Sequence, residues 1–94
     1  MRIFETRKFE KLRKKLNSVI EKEALINAIK VIVENPQEGK KLKGELKGLQ
    51  RYRYSVQGQE RRLIYKVEKD TINLLSFGHR SLSDLGGRSE GTSF

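Results

Sequence analysis

The apolar residues of the first third of the chain recur with the period of a helix. Phe9, Leu12, Leu16 and Val19 recur at steps of three and four residues, which places them on one helical face, and Asn17-Ser18 interrupts this pattern. Ser18 and Glu21 have the spacing of a capping box, which predicts that a second helix begins near Val19. Proline disfavours helix in the residue before it, so this helix ends at Asn35-Pro36. A short strand candidate, residues 2–5, precedes both helices.

After a stretch that contains several glycines, apolar residues recur at every second position, which is the period of a β-strand. The alternating residues of one face are Tyr52, Tyr54, Leu63, Tyr65, Val67, Ile72 and Leu74. The turn signals Gly58-Gln59 and Lys69-Asp70 divide this segment into three strands, which form an antiparallel meander. The sequence therefore predicts an α+β domain over residues 1–80, with an N-terminal strand and an αα-hairpin packed on a small antiparallel sheet (β-α-α-β-β-β). The Ser/Gly-rich tail, residues 81–94, has little to bury and is expected to be mobile.

The turns also predict which side chains share a face of the sheet. A two-residue turn at Gly58-Gln59 places Arg53 opposite Ile64. The face turned away from the helices then carries Arg51, Arg53, Arg62 and Lys66, with Ile64, Leu75 and Phe77 among them and His79 just beyond. Four cations on one face repel each other, and a polyanion offsets that repulsion. This face is therefore expected to bind a partner.

Charge narrows the choice of partner. The 94 residues carry a net charge of +9, and residues 36–66 hold nine basic and three acidic side chains, or +6. Such a surface favours nucleic acid, an anionic membrane or an acidic protein. Because the positive charge gathers on one sheet face, we expect no membrane partner.

The absence of cysteine and the single histidine argue against a disulfide-stapled module and a metal site. No apolar run is long enough for a membrane span, so a cytoplasmic domain is expected.

Three segments together resemble the RelE/ParE superfamily of type II toxin–antitoxin toxins. Residues 42–48 read Leu-Lys-Gly-Glu-Leu-Lys-Gly, residues 62–67 read Arg-Leu-Ile-Tyr-Lys-Val, and residues 78–80 read Gly-His-Arg. The resemblance extends from about residue 2 to residue 80. It implies a RelE-like fold and a small basic toxin that enters the ribosomal A site, cleaves mRNA there without a metal or cofactor, and is neutralised by a cognate antitoxin, which we expect to be acidic.

The resemblance also assigns roles to individual residues. Arg62 and Arg80 match family arginines that stabilise the charge of the phosphate during cleavage. His79 has the only side chain with an unperturbed pKa near neutrality and is the candidate general acid or base, with a purely structural hydrogen bond at the strand end as the alternative. The expected RNA contacts are Lys43, Lys47, Arg51, Arg53 and Lys66.

One departure from the family pattern keeps two further functions open. RelE-type toxins often carry a tyrosine soon after the last arginine, where this chain reads Ser-Leu-Ser-Asp-Leu-Gly over residues 81–86. A ParE-like inhibitor of DNA gyrase needs no catalytic residue, and neither does a catalytically weak RNA-binding member of the family. The sequence therefore predicts an mRNA endonuclease, with these two functions as alternatives.

Overall fold

A computed structural model of the protein describes residues 2–79, in which helices precede a run of strands. The elements are β1 (Arg2–Glu5), α1 (Arg7–Lys14), α2 (Val19–Glu34), β2 (Lys40–Lys41), β3 (Gln50–Val56), β4 (Gln59–Glu68) and β5 (Thr71–His79), with single 3-10 turns at Pro36–Glu38 and Gly44–Leu46. The predicted α+β class and element order are confirmed, with the short β2 added. Arg80 and the tail predicted at 81–94 lie outside the described residues.

Side-chain caps set where both helices begin. The Thr6 hydroxyl accepts a hydrogen bond from the Phe9 amide at 3.2 Å, and the Ser18 hydroxyl accepts one from the Glu21 amide at 3.3 Å. Each cap satisfies an amide that would otherwise have no partner in the first helical turn. The second helix ends at Glu34, before Asn35 and Pro36, as the sequence predicted.

The sheet has five strands in the order β1-β5-β4-β3-β2. The three long strands form the predicted antiparallel meander, while β1 pairs in parallel with β5 and β2 pairs antiparallel with β3. The parallel pair makes the sheet mixed. Two-residue β2 is too short to show a period in the sequence.

The helices cover one face of this sheet and form the hydrophobic core with it. The fully packed core residues are Phe9, Leu25, Ala28, Ile32, Leu63, Tyr65, Ile72 and Leu74. Phe77 joins them, because its ring meets that of Phe9 edge to face at a centroid distance of 5.1 Å. Within residues 2–79, no helix is long and apolar enough to cross a membrane.

The hairpin between β3 and β4 turns one residue earlier than predicted. Its turn residues are Gln57 and Gly58, whose φ angles of 52° and 83° are both positive, as a type I′ turn requires. Arg53 therefore lies opposite Arg62, and the predicted pairing with Ile64 is wrong. The partner changes by two positions, so each side chain keeps its predicted face. The next turn is confirmed, since Glu68 pairs with Thr71 around Lys69-Asp70.

A buried polar network ties the segment after α2 to the sheet. The Tyr65 hydroxyl donates to the Pro36 carbonyl at 2.8 Å and accepts from the Gly39 amide at 3.0 Å. The side-chain amide of Gln50 donates to the same Pro36 carbonyl at 2.9 Å. A Cβ at position 39 would overlap the Tyr65 hydroxyl, so this close approach requires glycine. The network positions the chain that leads into β2.

Replacing Tyr65 with Phe is expected to lower the free energy of unfolding by about 1–3 kcal/mol, because Pro36 and Gly39 lose a buried partner. Urea denaturation measures this loss. Tyr52→Phe is the matched control, since the Tyr52 hydroxyl makes no hydrogen bond within residues 2–79. An equal loss in both variants would contradict a structural role for the Tyr65 hydroxyl.

Stability is expected to fall as the pH rises above about 10, the ordinary tyrosine pKa. Burial, with a smaller contribution from the Glu21 carboxylate, raises the pKa of Tyr54 above that value. Above pH 10 the unfolded chain therefore loses this proton while the folded protein keeps it, which favours unfolding. Below about pH 10 the Tyr54 hydroxyl is protonated in both the folded and the unfolded protein, so it causes no change in stability with pH there.

The Tyr54→Phe variant tests this pH dependence, because it removes the ionisable group. Urea denaturation between about pH 9 and about pH 11.5 is expected to show a shallower decline for the variant than for the wild type. Parallel declines would assign the alkaline loss to other groups.

Candidate nucleic-acid interface

The face of the sheet turned away from α1 and α2, here called the outer face, collects basic side chains from three neighbouring strands. These are Lys40 of β2, Arg51 and Arg53 of β3, and Arg62 and Lys66 of β4. Lys40 lies opposite Arg51, and Arg53 lies opposite Arg62. The shared face predicted for the last four residues is confirmed. Lys40 was missed because β2 is only two residues long.

Two carboxylates form exposed ion pairs with cations of this face. Glu60 lies 3.2 Å from the Nε atom of Arg53, and Glu68 lies 3.2 Å from the Nζ atom of Lys66. Ion pairs this exposed contribute about 0–1 kcal/mol each. Two arginines directly opposite each other destabilise a strand pair by a similar amount. The arrangement therefore does little for stability and is suited to binding an anion.

A hollow of about 390 Å³ opens at the β2–β3 edge of the outer face. Its lining residues are Glu38, Lys40, Arg51, Tyr52 and Arg53. This volume lies within the range of small-ligand sites. The Tyr52 ring packs against the core, so the charge of this hollow comes from Lys40, Arg51 and Arg53 beside Glu38.

Lys43 and Lys47 lie apart from the outer-face arginines. Both line a larger hollow, of about 590 Å³, formed by the loop between β2 and β3 together with Gln50 and Val67. Gln50 pairs with Tyr65, so this hollow is at the helix-covered face. The predicted RNA contacts therefore fall into two groups, one on the outer face and one at the end of the opposite face.

A β-bulge moves His79 away from the predicted face. In the β4–β5 ladder Tyr65 pairs with Leu74 but Ile64 pairs with Ser76, so Leu75 has no partner. This extra residue reverses the alternation of everything after it. Phe77 consequently enters the core, and His79 pairs with Arg61 on the helix-covered side. The predicted placement of Phe77 and His79 beside Arg62 is wrong.

The apolar part of the predicted outer surface is also smaller than expected. Ile64 remains on the outer face but is only 2% exposed, and Leu75 is half-buried. Phe77 packs against the core and does not lie on the outer face. The outer face is therefore basic and polar within the described residues, with little exposed hydrocarbon.

Arg61 organises a separate polar cluster on the helix-covered side. Its guanidinium is buried and lies 2.8 Å from the Glu21 carboxylate of α2. A second guanidinium nitrogen lies 3.2 Å from Nδ1 of His79. The same guanidinium nitrogen also donates to the Gln59 side-chain oxygen and to the Glu60 carbonyl, both at 3.4 Å. The alternation of residues along β4 places Arg61 on the helix-covered face. Its ion pair with Glu21 could not be predicted, because it depends on how α2 packs on the sheet.

Two of three comparisons relate the chain to known proteins. The family model described as "ParE-like toxin of type II bacterial toxin-antitoxin system" matches residues 3–82. A search of curated proteins found no match.

Solved structures share the fold at low sequence identity. The isolated E. coli toxin RelE is 24% identical, with a TM-score of 0.67 over 95% of this chain and 87% of its own. The RelBE2 toxin–antitoxin complex of Mycobacterium tuberculosis gives 24% identity and a TM-score of 0.66, covering 84% of this chain and 96% of that one. YafQ from E. coli gives 20% identity and a TM-score of 0.60, covering 86% and 96%.

Arg61→Met is expected to lower the free energy of unfolding by about 2–3 kcal/mol, because it leaves the Glu21 carboxylate without its buried partner. Arg13→Met is the matched control, since its ion pair with Glu5 is exposed and contributes less than about 1 kcal/mol. Urea denaturation compares the two variants. Equal losses would show that burial of the Arg61 pair adds nothing.

Proposed function

The chain belongs to the ParE-like toxins of type II bacterial toxin–antitoxin systems, and from this premise we propose that it is an endoribonuclease that cleaves mRNA in the ribosomal A site. The observation that carries the proposal is the direct opposition of Arg53 and Arg62 on the outer face, beside Arg51. Such a concentration of guanidinium groups is matched to phosphate oxygens, which accept paired hydrogen bonds from them.

The chemistry proceeds by attack of a ribose 2′-hydroxyl on the adjacent phosphorus. The phosphorus–oxygen bond to the next nucleotide breaks, and a 2′,3′-cyclic phosphate and a 5′-hydroxyl remain. Negative charge builds on the phosphate in the transition state, where a fixed guanidinium stabilises it most. We assign this role to Arg62 and to Arg80, with Arg51, Arg53 and Lys66 as contacts to the RNA backbone.

Lys43 and Lys47 are proposed as a second group of backbone contacts, at the hollow beside Val67. Because this hollow lies beyond the edge of the outer face, RNA that reaches both groups must cross the β2 edge of the sheet. The acid–base role of His79 stays a prediction. From its position beside Arg61, His79 can act only on RNA that extends past the end of β5.

We further propose that a cognate antitoxin with acidic character binds this basic chain in the cytoplasm. The net charge of +9 supports an acidic partner. One similar structure, RelBE2, is itself a toxin–antitoxin complex.

A second candidate function is inhibition of DNA gyrase without RNA cleavage. The placement of His79 favours it, because the one side chain with a near-neutral unperturbed pKa lies on the face opposite Arg62. An RNA-binding member with weak catalysis is compatible with the same geometry.

Mapping of mRNA ends in a purified translation reaction tests the nuclease function. The wild type is expected to cut mRNA on the ribosome, and Arg62→Ala to reduce the cutting rate by about 10²–10³-fold. Lys30→Ala is the matched control, because Lys30 is an exposed cation on α2. Its rate is expected to equal that of the wild type.

Growth arrest with intact mRNA would contradict the nuclease function. A supercoiling assay with purified gyrase then separates the alternatives. Loss of supercoiling supports gyrase inhibition, and unchanged supercoiling leaves RNA binding with weak catalysis.

A further inference from the structure

The hydroxyl of Ser76 is buried and has no hydrogen-bond partner among residues 2–79. The residue is 1% exposed, and its Oγ atom makes no hydrogen bond in the part of the chain that the structure describes. A buried hydroxyl in this state has lost its water and gained nothing in exchange, at a cost of about 1–3 kcal/mol. Most buried polar groups in proteins have a partner, so this one calls for a functional explanation.

The bulge at Leu75 places Ser76 on the outer face. Ser76 pairs with Ile64, which pairs with Arg51, so these three residues form one row across β5, β4 and β3. The next row contains Arg53, Arg62 and Gly78. Without the bulge, Ser76 would have followed Leu74 onto the helix-covered side. The serine hydroxyl is therefore a member of the cationic surface.

Arg62 is a diagonal neighbour of Ser76, at a separation that long side chains span. Gly78 lies directly opposite Arg62 and contributes no side chain to this row. A ligand group that a guanidinium and a hydroxyl both donate to must be an acceptor. A phosphate oxygen fits this requirement, and the surrounding positive charge favours it.

We propose that the Ser76 hydroxyl is a direct contact to RNA, donating a hydrogen bond to a non-bridging phosphate oxygen of the nucleotide whose charge Arg62 balances. The proposal rests on the proposed function, in which this chain binds RNA. It adds one uncharged contact to the arginine and lysine contacts proposed there. Because Ser76 is 1% exposed, a direct contact requires that the groups covering the hydroxyl move when RNA binds.

The Ser76→Ala variant tests this contact by RNA binding. The probe is a fluorescein-labelled, adenine-only RNA of about 12 nucleotides, within the footprint of small single-strand-binding domains. Fluorescence anisotropy of the full chain is expected to show about tenfold weaker binding for Ser76→Ala. Ser55→Ala is the matched control, since Ser55 is an exposed serine of the same face, two rows away. Its affinity is expected to equal that of the wild type.

Two further readouts separate a contact from a structural role. The slope of log affinity against log salt is expected to be unchanged in Ser76→Ala, because a neutral hydroxyl releases no counterion, whereas Arg62→Ala reduces it by about 0.7. Thermal unfolding of Ser76→Ala is expected at the same or a higher temperature than for the wild type, because the variant buries no unpaired hydroxyl.

Each outcome decides between the proposals. Equal RNA affinity of Ser76→Ala and Ser55→Ala would overturn the assignment of Ser76 while leaving the nuclease function intact. Weaker binding by Ser76→Ala alone, with no cutting of mRNA by the wild type, would support the contact and overturn the nuclease. Absence of RNA binding by the wild type would overturn both.

Discussion

The helix-covered face of the sheet must be apolar, and this constraint decides where the charge of the molecule goes. In β3 and β4 successive side chains point to opposite faces, so placing Tyr52, Leu63 and Tyr65 under the helices commits Arg51, Arg53 and Arg62 to the outer face. The same burial that stabilises the fold therefore assembles the cationic surface, although its opposed arginines repel each other. Function and stability are coupled through the alternation of two strands.

On β5 the bulge at Leu75 interrupts this alternation of side chains between the two faces. Before it, Ile72 and Leu74 face the helices; after it, Phe77 and His79 do. The extra residue has two effects, because it fills the core with Phe77 against Phe9 and delivers Ser76 to the outer face. The Thr6 hydroxyl donates to the carbonyls of Leu74 and Leu75, at 2.9 and 3.3 Å, while it caps α1. One threonine thus links the start of α1 to the bulge.

Arg61 and Arg62 illustrate how adjacent residues with the same side chain acquire different roles. Arg61 is 7% exposed, forms an ion pair with Glu21 and orients His79, so its charge is used within the fold. Arg62 lies on the outer face opposite Arg53, within the cationic surface. The difference follows from strand geometry alone, since neighbouring residues point to opposite sides of a sheet.

The sequence by itself determined the α+β class, the cap at Ser18, the end of α2 before Pro36 and the shared face of Arg51, Arg53, Arg62 and Lys66. These features depend on local periodicity or on hydrogen bonds between residues close in the chain, which leave a visible pattern. Only the tertiary structure decided the β3–β4 register, the pairing of β1 with β5, the bulge that redirects His79 and the ion pair between Glu21 and Arg61. Each of these features depends on which of several long-range pairings has the lowest free energy. A shift of one residue in a turn or ladder changes the pairing without changing the sequence pattern.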